Sequence, residues 1–286
     1  MISRNLRLVS GLWVHYREGR RFLGMPIVML HPTPECSLAI APLAEILSSE
    51  FRIVAPDIPG YGLSEPLPVV PPAMMDYVRF LKCFLDKIVG SRYILYGRGS
   101  GAQFAIAFAN CCPSRVIHLF LDEAYFFSDD ERDRIRNQYF IDLTPRSDGG
   151  HLVEAWRMSA LSLQFFPWFE NDNQHRIRSS EPTPEEVATR VRSLLNSGVR
   201  HADGCRAAFD HARIGNLYAV TVPTTLFRRK QSYGLKYAIS VAPDALPSNI
   251  SIVDLPNNAA ECHEQTLLAM RIVHQSLLLD CFPAPT

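Results

Sequence analysis

Neither sign of charge predominates in this chain: 29 Lys and Arg balance 29 Asp and Glu to a formal net charge of zero. A neutral chain has no overall field with which to recruit nucleic acid or an anionic membrane, which excludes both as expected partners and favours an apolar or weakly charged small molecule. Long hydrophobic runs are also missing. The longest, such as Ile27 to Leu30 and Ile117 to Leu121, are strand-sized, far short of the ~20 residues that cross a bilayer. Met1-Ile-Ser-Arg-Asn5 lacks the apolar stretch of a signal peptide. A soluble, cytoplasmic protein is expected. Cysteine is sparse and irregularly placed: the seven, at 36, 83, 111, 112, 205, 262 and 281, form neither a disulfide framework nor a C-x-x-C pair. They read as buried free thiols. No His, Cys, Asp or Glu cluster has metal-ligand spacing, so neither a metal nor any other cofactor is expected. There is no internal repeat and no low-complexity segment.

What is present is enough for one large domain carrying an insertion: 286 residues, 47% hydrophobic and 20% charged. Leu12 to Tyr16 alternates as an antiparallel strand does, and Ile27 to Leu30 reads as a buried strand ending in His31-Pro32-Thr33-Pro34. Helical periodicity follows over Leu38 to Ser48. The next strand, Phe51 to Ala55, runs into Pro56-Asp57-Ile58-Pro59-Gly60-Tyr61-Gly62-Leu63-Ser64, too rich in Pro and Gly for either regular structure to continue. Met74 to Val89 is a helix closed by Gly90. Strand and helix keep alternating to Val116–Leu121, and continuous apolar strands in that rhythm predict a mostly parallel sheet with helices on both faces. From 125 to 215 no convincing strand is present, and the segment reads as a helical insert. Pro223 to Phe227, Ile250 to Asp254 and a helix from about Glu264 to Leu279 complete the main domain, which spans 1–124 and 216–286.

The centre of this pattern is Arg92 to Ala109, a short apolar run, a cluster of glycines, then a small-residue helix. Gly97-Arg98-Gly99-Ser100-Gly101 occupies the frame of the G-x-S-x-G nucleophile elbow, with Gly99 at the tip. Together with His31-Pro-Thr-Pro34, Asp57-Ile-Pro-Gly-Tyr-Gly-Leu-Ser64 and a helical insert after the strand ending at Asp122, the chain resembles the α/β-hydrolase superfamily. The resemblance implies that fold, with about eight strands and residues 125–215 forming a lid.

The superfamily's chemistry needs a nucleophile on the elbow, a His to take its proton and a carboxylate to orient that His. Where the resemblance places them, this chain has Gly99, Ala260 and Ser232. Ser100 is the tempting substitute nucleophile and His263 the tempting base. A tip at Ser100, however, puts Arg98 two residues earlier, where close packing of strand on helix admits only a small side chain. Ser100 is therefore read as the first helical residue, lending its N–H to an oxyanion hole with the N–H of Thr33. Asp122, at a strand end, is a candidate acid. Asp57 and Ser64 hold their loop.

Those donors around an empty glycine tip, walled by an aromatic lid, suggest a receptacle for a carbonyl oxygen or enolate. The candidate catalytic set is Thr33, Gly99, Ser100, Asp122 and His263. The candidate binding set is His31, Pro34, Arg98, His151, Trp156, Phe166 and Trp168. The leading reading is an enzyme promoting cyclisation, elimination, decarboxylation or isomerisation of an apolar carbonyl compound. Alternatives are a non-catalytic binder or partner subunit, and a hydrolase using Ser100 and His263. Gly97-x-Gly99-x-x-Ala102 also fits a dinucleotide fingerprint, but two strand-helix units precede it and leave the His-Pro-Thr-Pro and Asp-x-Pro-Gly loops without a role. A homo-oligomer is compatible with the sequence.

Overall fold

The computed structural model describes residues 2–19, 25–90, 92–229, 246–256 and 258–281. Eight strands form one sheet in the order β1-β2-β4-β3-β5-β6-β7-β8. They are β1 (Ile2–Val9), β2 (Leu12–Gly19), β3 (Ile27–Leu30), β4 (Ile53–Pro56), β5 (Tyr93–Arg98), β6 (Val116–Asp122), β7 (Thr224–Arg229) and β8 (Ile250–Leu255). β1 and β2 pair antiparallel, as do β2 and β4, and every later pair is parallel. The sheet is therefore of the expected kind, with one addition at its edge. β1 escapes a reading by periodicity because most of its side chains are exposed, so nothing forces apolar alternation on it. Its two-residue turn into β2, Ser10 at φ 49° and Gly11 at φ 84°, has the positive dihedrals that tight hairpins require.

Helices cover both faces. Within β3, Val28 and Leu30 face a cluster with Phe84 and Leu81 of α2 (Met74–Ile88) and Phe104 and Phe108 of α3 (Ser100–Cys111). Ile27 and Met29 face the opposite cluster, with Leu43 and Leu47 of α1 (Ala41–Leu47) and Met270 of α9 (Ala259–Cys281). Strands buried on both faces need apolar residues at every position, which is why they read as unbroken runs.

Between β6 and β7 lie α4 (Asp129–Tyr139), α5 (Gly150–Ser162), α6 (Pro184–Asn196), α7 (Asp203–His211) and α8 (Ile214–Tyr218). Ser128 caps α4 and Thr183 caps α6, each accepting from the backbone N–H three residues on while Glu131 or Glu186 reaches back. These helices enclose a third cluster that includes Tyr125, Phe127, Tyr139 and Phe209.

One loop fixes the turn that leads into the site. Asp57 is buried, and its carboxylate accepts the Ser37 N–H at 2.8 Å and the Leu63 N–H at 3.0 Å and lies 2.7 Å from His15 Nδ1. Burial alone would raise its pKa. The bond to His15, the nearby His31 and the bond to Ser37 outweigh burial and bring it from 3.8 to about 2. Ser64 Oγ donates to the Asp57 carbonyl at 2.8 Å. A Cβ at Gly62, whose φ is +58°, would fall 2.2 Å from Asp57 Oδ2, so the carboxylate beneath this loop admits only glycine at position 62. The Ile58 N–H in turn donates to His31 Nε2 at 2.8 Å, tying this loop to the segment that carries Thr33.

Candidate functional site

β5 passes directly into α3 with only Gly99 between them, at φ 56° and ψ −122°. The glycines on either side set the frame. A Cβ at Gly97 would lie 2.4 Å from the Gly101 carbonyl oxygen, and one at Gly101 would lie 2.3 Å from that of Leu30. Neither position accepts a side chain, whereas a Cβ at Gly99 meets only Pro32 Cβ, at 3.3 Å, among the described residues. Gly99 is thus the residue at the corner. Its N–H donates to the Asp122 carbonyl at 2.9 Å, which joins the corner to the end of β6.

The Thr33 amide does not stand free as the sequence reading expects. Thr33 is buried, and its N–H donates to Ser100 Oγ at 2.6 Å. The same Oγ lies 2.9 Å from Thr33 Oγ1, which lies 2.9 Å from Cys205 Sγ of α7. The Tyr125 phenol also faces the Ser100 hydroxyl. The Ser100 side chain is therefore turned toward Thr33, not spent on the first turn of its own helix. The amide expected to face an empty socket is occupied by the chain's own hydroxyl. Burial pushes the Cys205 thiol up to about 11 and the Tyr125 phenol well above its usual range, so this cluster is uncharged at neutral pH.

On the α1 and α9 side of the corner lies a small pocket. Tyr96, Arg98, Asp122, His263 and Thr266 line it, with Ala39, Ile40, Pro42 and Leu43. Residues two apart on a strand point to the same face, and Tyr96 and Arg98 are placed in this way. Asp122 is buried and accepts from the Tyr96 hydroxyl at 2.7 Å. Arg98 Nε donates to Glu123 at 2.9 Å. Glu123 is the principal cause holding the guanidinium charged well above the ordinary range.

The site residues read from the sequence thus fall into two adjoining groups, Thr33, Gly99 and Ser100 at the corner, and Arg98, Asp122 and His263 beside it. Ala260 lies exposed in the first turn of α9, where its N–H donates to Asn258 Oδ1 at 2.9 Å. His263 follows one turn later. Ser232 lies outside the described residues.

The remaining candidates are placed elsewhere or have structural engagements. His31 is completely buried; burial is the main cause lowering its pKa, and the neutral ring accepts the Ile58 N–H. Pro34 is buried beside Thr33. His151 accepts the Arg146 N–H at 3.1 Å, and Trp156 is 45% exposed on the same helix. Phe166 stacks on Phe127, with centroids 6.1 Å apart, and Trp168 Nε1 donates to the Tyr139 carbonyl at 2.9 Å. These two belong to the packing among the inserted helices.

Tyr96, Tyr125, Cys205 and Thr266 escaped the sequence reading. Only Tyr96 had a usable signal, its two-residue offset from Arg98; the others reach the corner from segments whose approach no local pattern encodes. No group of three or more potential metal ligands occurs among the described residues.

Comparison with known proteins adds a family. The sequence profile of the alpha/beta hydrolase family matches residues 10–239. A haloalkane dehalogenase of Agrobacterium fabrum is 24% identical over 243 residues, 80% of this chain and 76% of the relative. Haloalkane dehalogenase 2 of Mycobacterium tuberculosis is 30% identical over 118 residues, 41% of this chain and 40% of the relative. The chain's match thus spans about two-fifths of the length of the first curated relatives. A pimeloyl-[acyl-carrier protein] methyl ester esterase of Legionella pneumophila is 28% identical over 120 residues, covering 41% of this chain and 46% of that protein. Among solved structures, Epoxide Hydrolase A from Mycobacterium thermoresistibile superposes with a TM-score of 0.69 at 15% identity, covering 96% of this chain and 97% of that one. A haloalkane dehalogenase loop variant from Bradyrhizobium elkanii does so with a TM-score of 0.69 at 17% identity, covering 98% and 100%. At such identities these structures support the fold alone.

Proposed function

The chain belongs to the alpha/beta hydrolase family, and from that premise we propose that it is an enzyme binding an uncharged carbonyl compound over Gly99, without an elbow nucleophile. The observation that carries the reading is the backbone at Gly99. It has the sharp corner of an elbow, with φ 56° and ψ −122°, locked by Gly97 and Gly101 and bearing no side chain. A corner of this shape holds neighbouring amides toward one point whether or not a nucleophile stands on it.

Hydrogen-bond donors held in place can stabilise a developing oxyanion by ~3–4 kcal/mol each, and proximity can add several more. Such a site suits elimination, isomerisation, decarboxylation or cyclisation of a carbonyl compound, where no ester to the protein is formed. The ligand is a small apolar molecule, and residues 125–215 form the lid above it. The dehalogenase and esterase relatives favour catalysis over mere binding. Their names do not extend to this chain's substrate.

A second reading, a binder that performs no chemistry, is favoured by one contact, the 2.6 Å bond through which Ser100 occupies the Thr33 amide. The test is a screen of carbonyl compounds by ligand-observed NMR against the wild type and Gly99→Leu, followed by recovery of each bound compound. Compounds that bind the wild type, are consumed, and lose both properties with Gly99→Leu support the enzyme. Compounds recovered unchanged support the binder. Binding that survives Gly99→Leu contradicts both readings. The added side chain at a positive φ should cost stability by ~1–3 kcal/mol, so melting temperatures accompany the screen.

A further inference from the structure

We infer that the Ser100 hydroxyl is a resident stand-in for the ligand's oxygen, occupying the Thr33 amide until an uncharged carbonyl oxygen displaces it. The inference rests on the carbonyl-binding reading above and names what controls entry to that site.

Three contacts define the seat. The Thr33 N–H donates to Ser100 Oγ at 2.6 Å, Thr33 Oγ1 lies 2.9 Å from the same oxygen, and Cys205 Sγ lies 2.9 Å from Thr33 Oγ1. Ser100 is the first residue of α3, immediately after the bare corner. Its hydroxyl therefore starts from the position beside the tip and reaches across to the amide that would otherwise face a ligand. A buried N–H left without a partner is costly, and with no side chain at Gly99 to organise a ligand, the neighbouring hydroxyl satisfies it. Rotation about the Ser100 side-chain bond releases the amide without moving backbone. A ligand oxygen must replace what it removes, so the observed affinity is the difference between two hydrogen bonds.

The surroundings also specify the ligand's charge. Thr33, Ser100, Cys205 and Tyr125 bring hydroxyls and a thiol but no cation. The two nearby guanidinium groups are already paired, Arg190 with Glu35 at 2.5 Å and Arg98 with Glu123 at 2.9 Å. A carboxylate entering such a buried seat would be desolvated without a counter-charge. A ketone, ester or amide oxygen meets no such penalty.

Acetone and acetate share a shape and differ in charge, which makes them suitable probes. Each is titrated into wild type, Ser100→Ala and Thr33→Val while the residue-33 backbone amide is followed by heteronuclear NMR. Acetone should move this resonance in all three proteins and half-saturate Ser100→Ala at a concentration about tenfold lower than wild type, the effect of releasing one hydrogen bond at ~1.4 kcal/mol per decade. Thr33→Val keeps the N–H but removes the Thr33 hydroxyl contact on Ser100 Oγ. It should shift affinity in the same direction by a smaller factor, and it carries the test if Ser100→Ala does not fold. Acetate should leave the amide unmoved. Equal acetone affinity in all folded variants overturns the stand-in while sparing the carbonyl site. No movement with acetone in any protein overturns the carbonyl reading itself, and acetate binding tighter than acetone overturns the assignment of charge.

Discussion

At Asp57 a single carboxylate takes two backbone N–H groups and faces His15, and the turn leading to Thr33 rests on the loop it organises. Its folded pKa, about 2, lies below its ordinary 3.8. A group depressed on folding contributes its stability above the unfolded value and loses it as pH falls through the folded one. Unfolding free energy should therefore drop by ~2 kcal/mol as pH falls from about 4 to about 2, measured by denaturant titration at stepped pH. Asp57→Asn should be less stable at neutral pH and lose markedly less stability than wild type across that window, the remaining slope coming from other depressed carboxylates such as Asp86 and Glu186. A wild type already flat there would contradict the role given to Asp57. This residue's structural part was legible from Pro-Gly spacing. The resemblance brought Thr33 and Ser100 together across 67 residues, but not the bond from the Thr33 N–H to the Ser100 hydroxyl, because side-chain rotation at a helix start is set by what arrives opposite.

The turn from β5 into α3 shows why the elbow could be read at the scale of an element. Three glycines at alternate positions do different things: Gly97 and Gly101 make room for backbone, and Gly99 supplies the corner. Only one register satisfies all three demands, so the spacing alone excluded a tip at Ser100. Gly101→Ala would bring its Cβ within 2.3 Å of the Leu30 carbonyl oxygen, and because backbone must move to relieve it, a loss of ~3 kcal/mol is expected. Thermal or chemical denaturation reads this directly. A near-neutral result would mean that β3 and α3 are not in such close contact. The helix carrying His263 could be read less well. Asn258 accepts the first N–H groups of α9, which begins at Ala259, five residues before the expected Glu264, so the position where the family resemblance puts a base falls in the exposed first turn, and His263 falls beside Arg98 and Asp122.

Across the whole molecule, a mostly parallel sheet with helices on both faces followed from alternation of apolar segments, since each layer must bury its neighbour; the order of the strands within it comes from the structure. The inserted helices were visible only as a change of pattern. Their internal aromatic packing absorbs Phe166 and Trp168, and Cys205 arrives at the corner from the same insertion, a long-range meeting that composition cannot forecast. Among the described residues no helix is long and apolar enough to cross a membrane. What unites these scales is a family fold whose corner carries backbone alone, beside a serine hydroxyl committed to an amide. Incubating the folded protein with a fluorophosphonate probe and mapping the labelled peptides tests that claim most directly. Ser100 should carry no adduct, and an adduct on Ser100 that disappears in Ser100→Ala would show an activated serine and contradict the account.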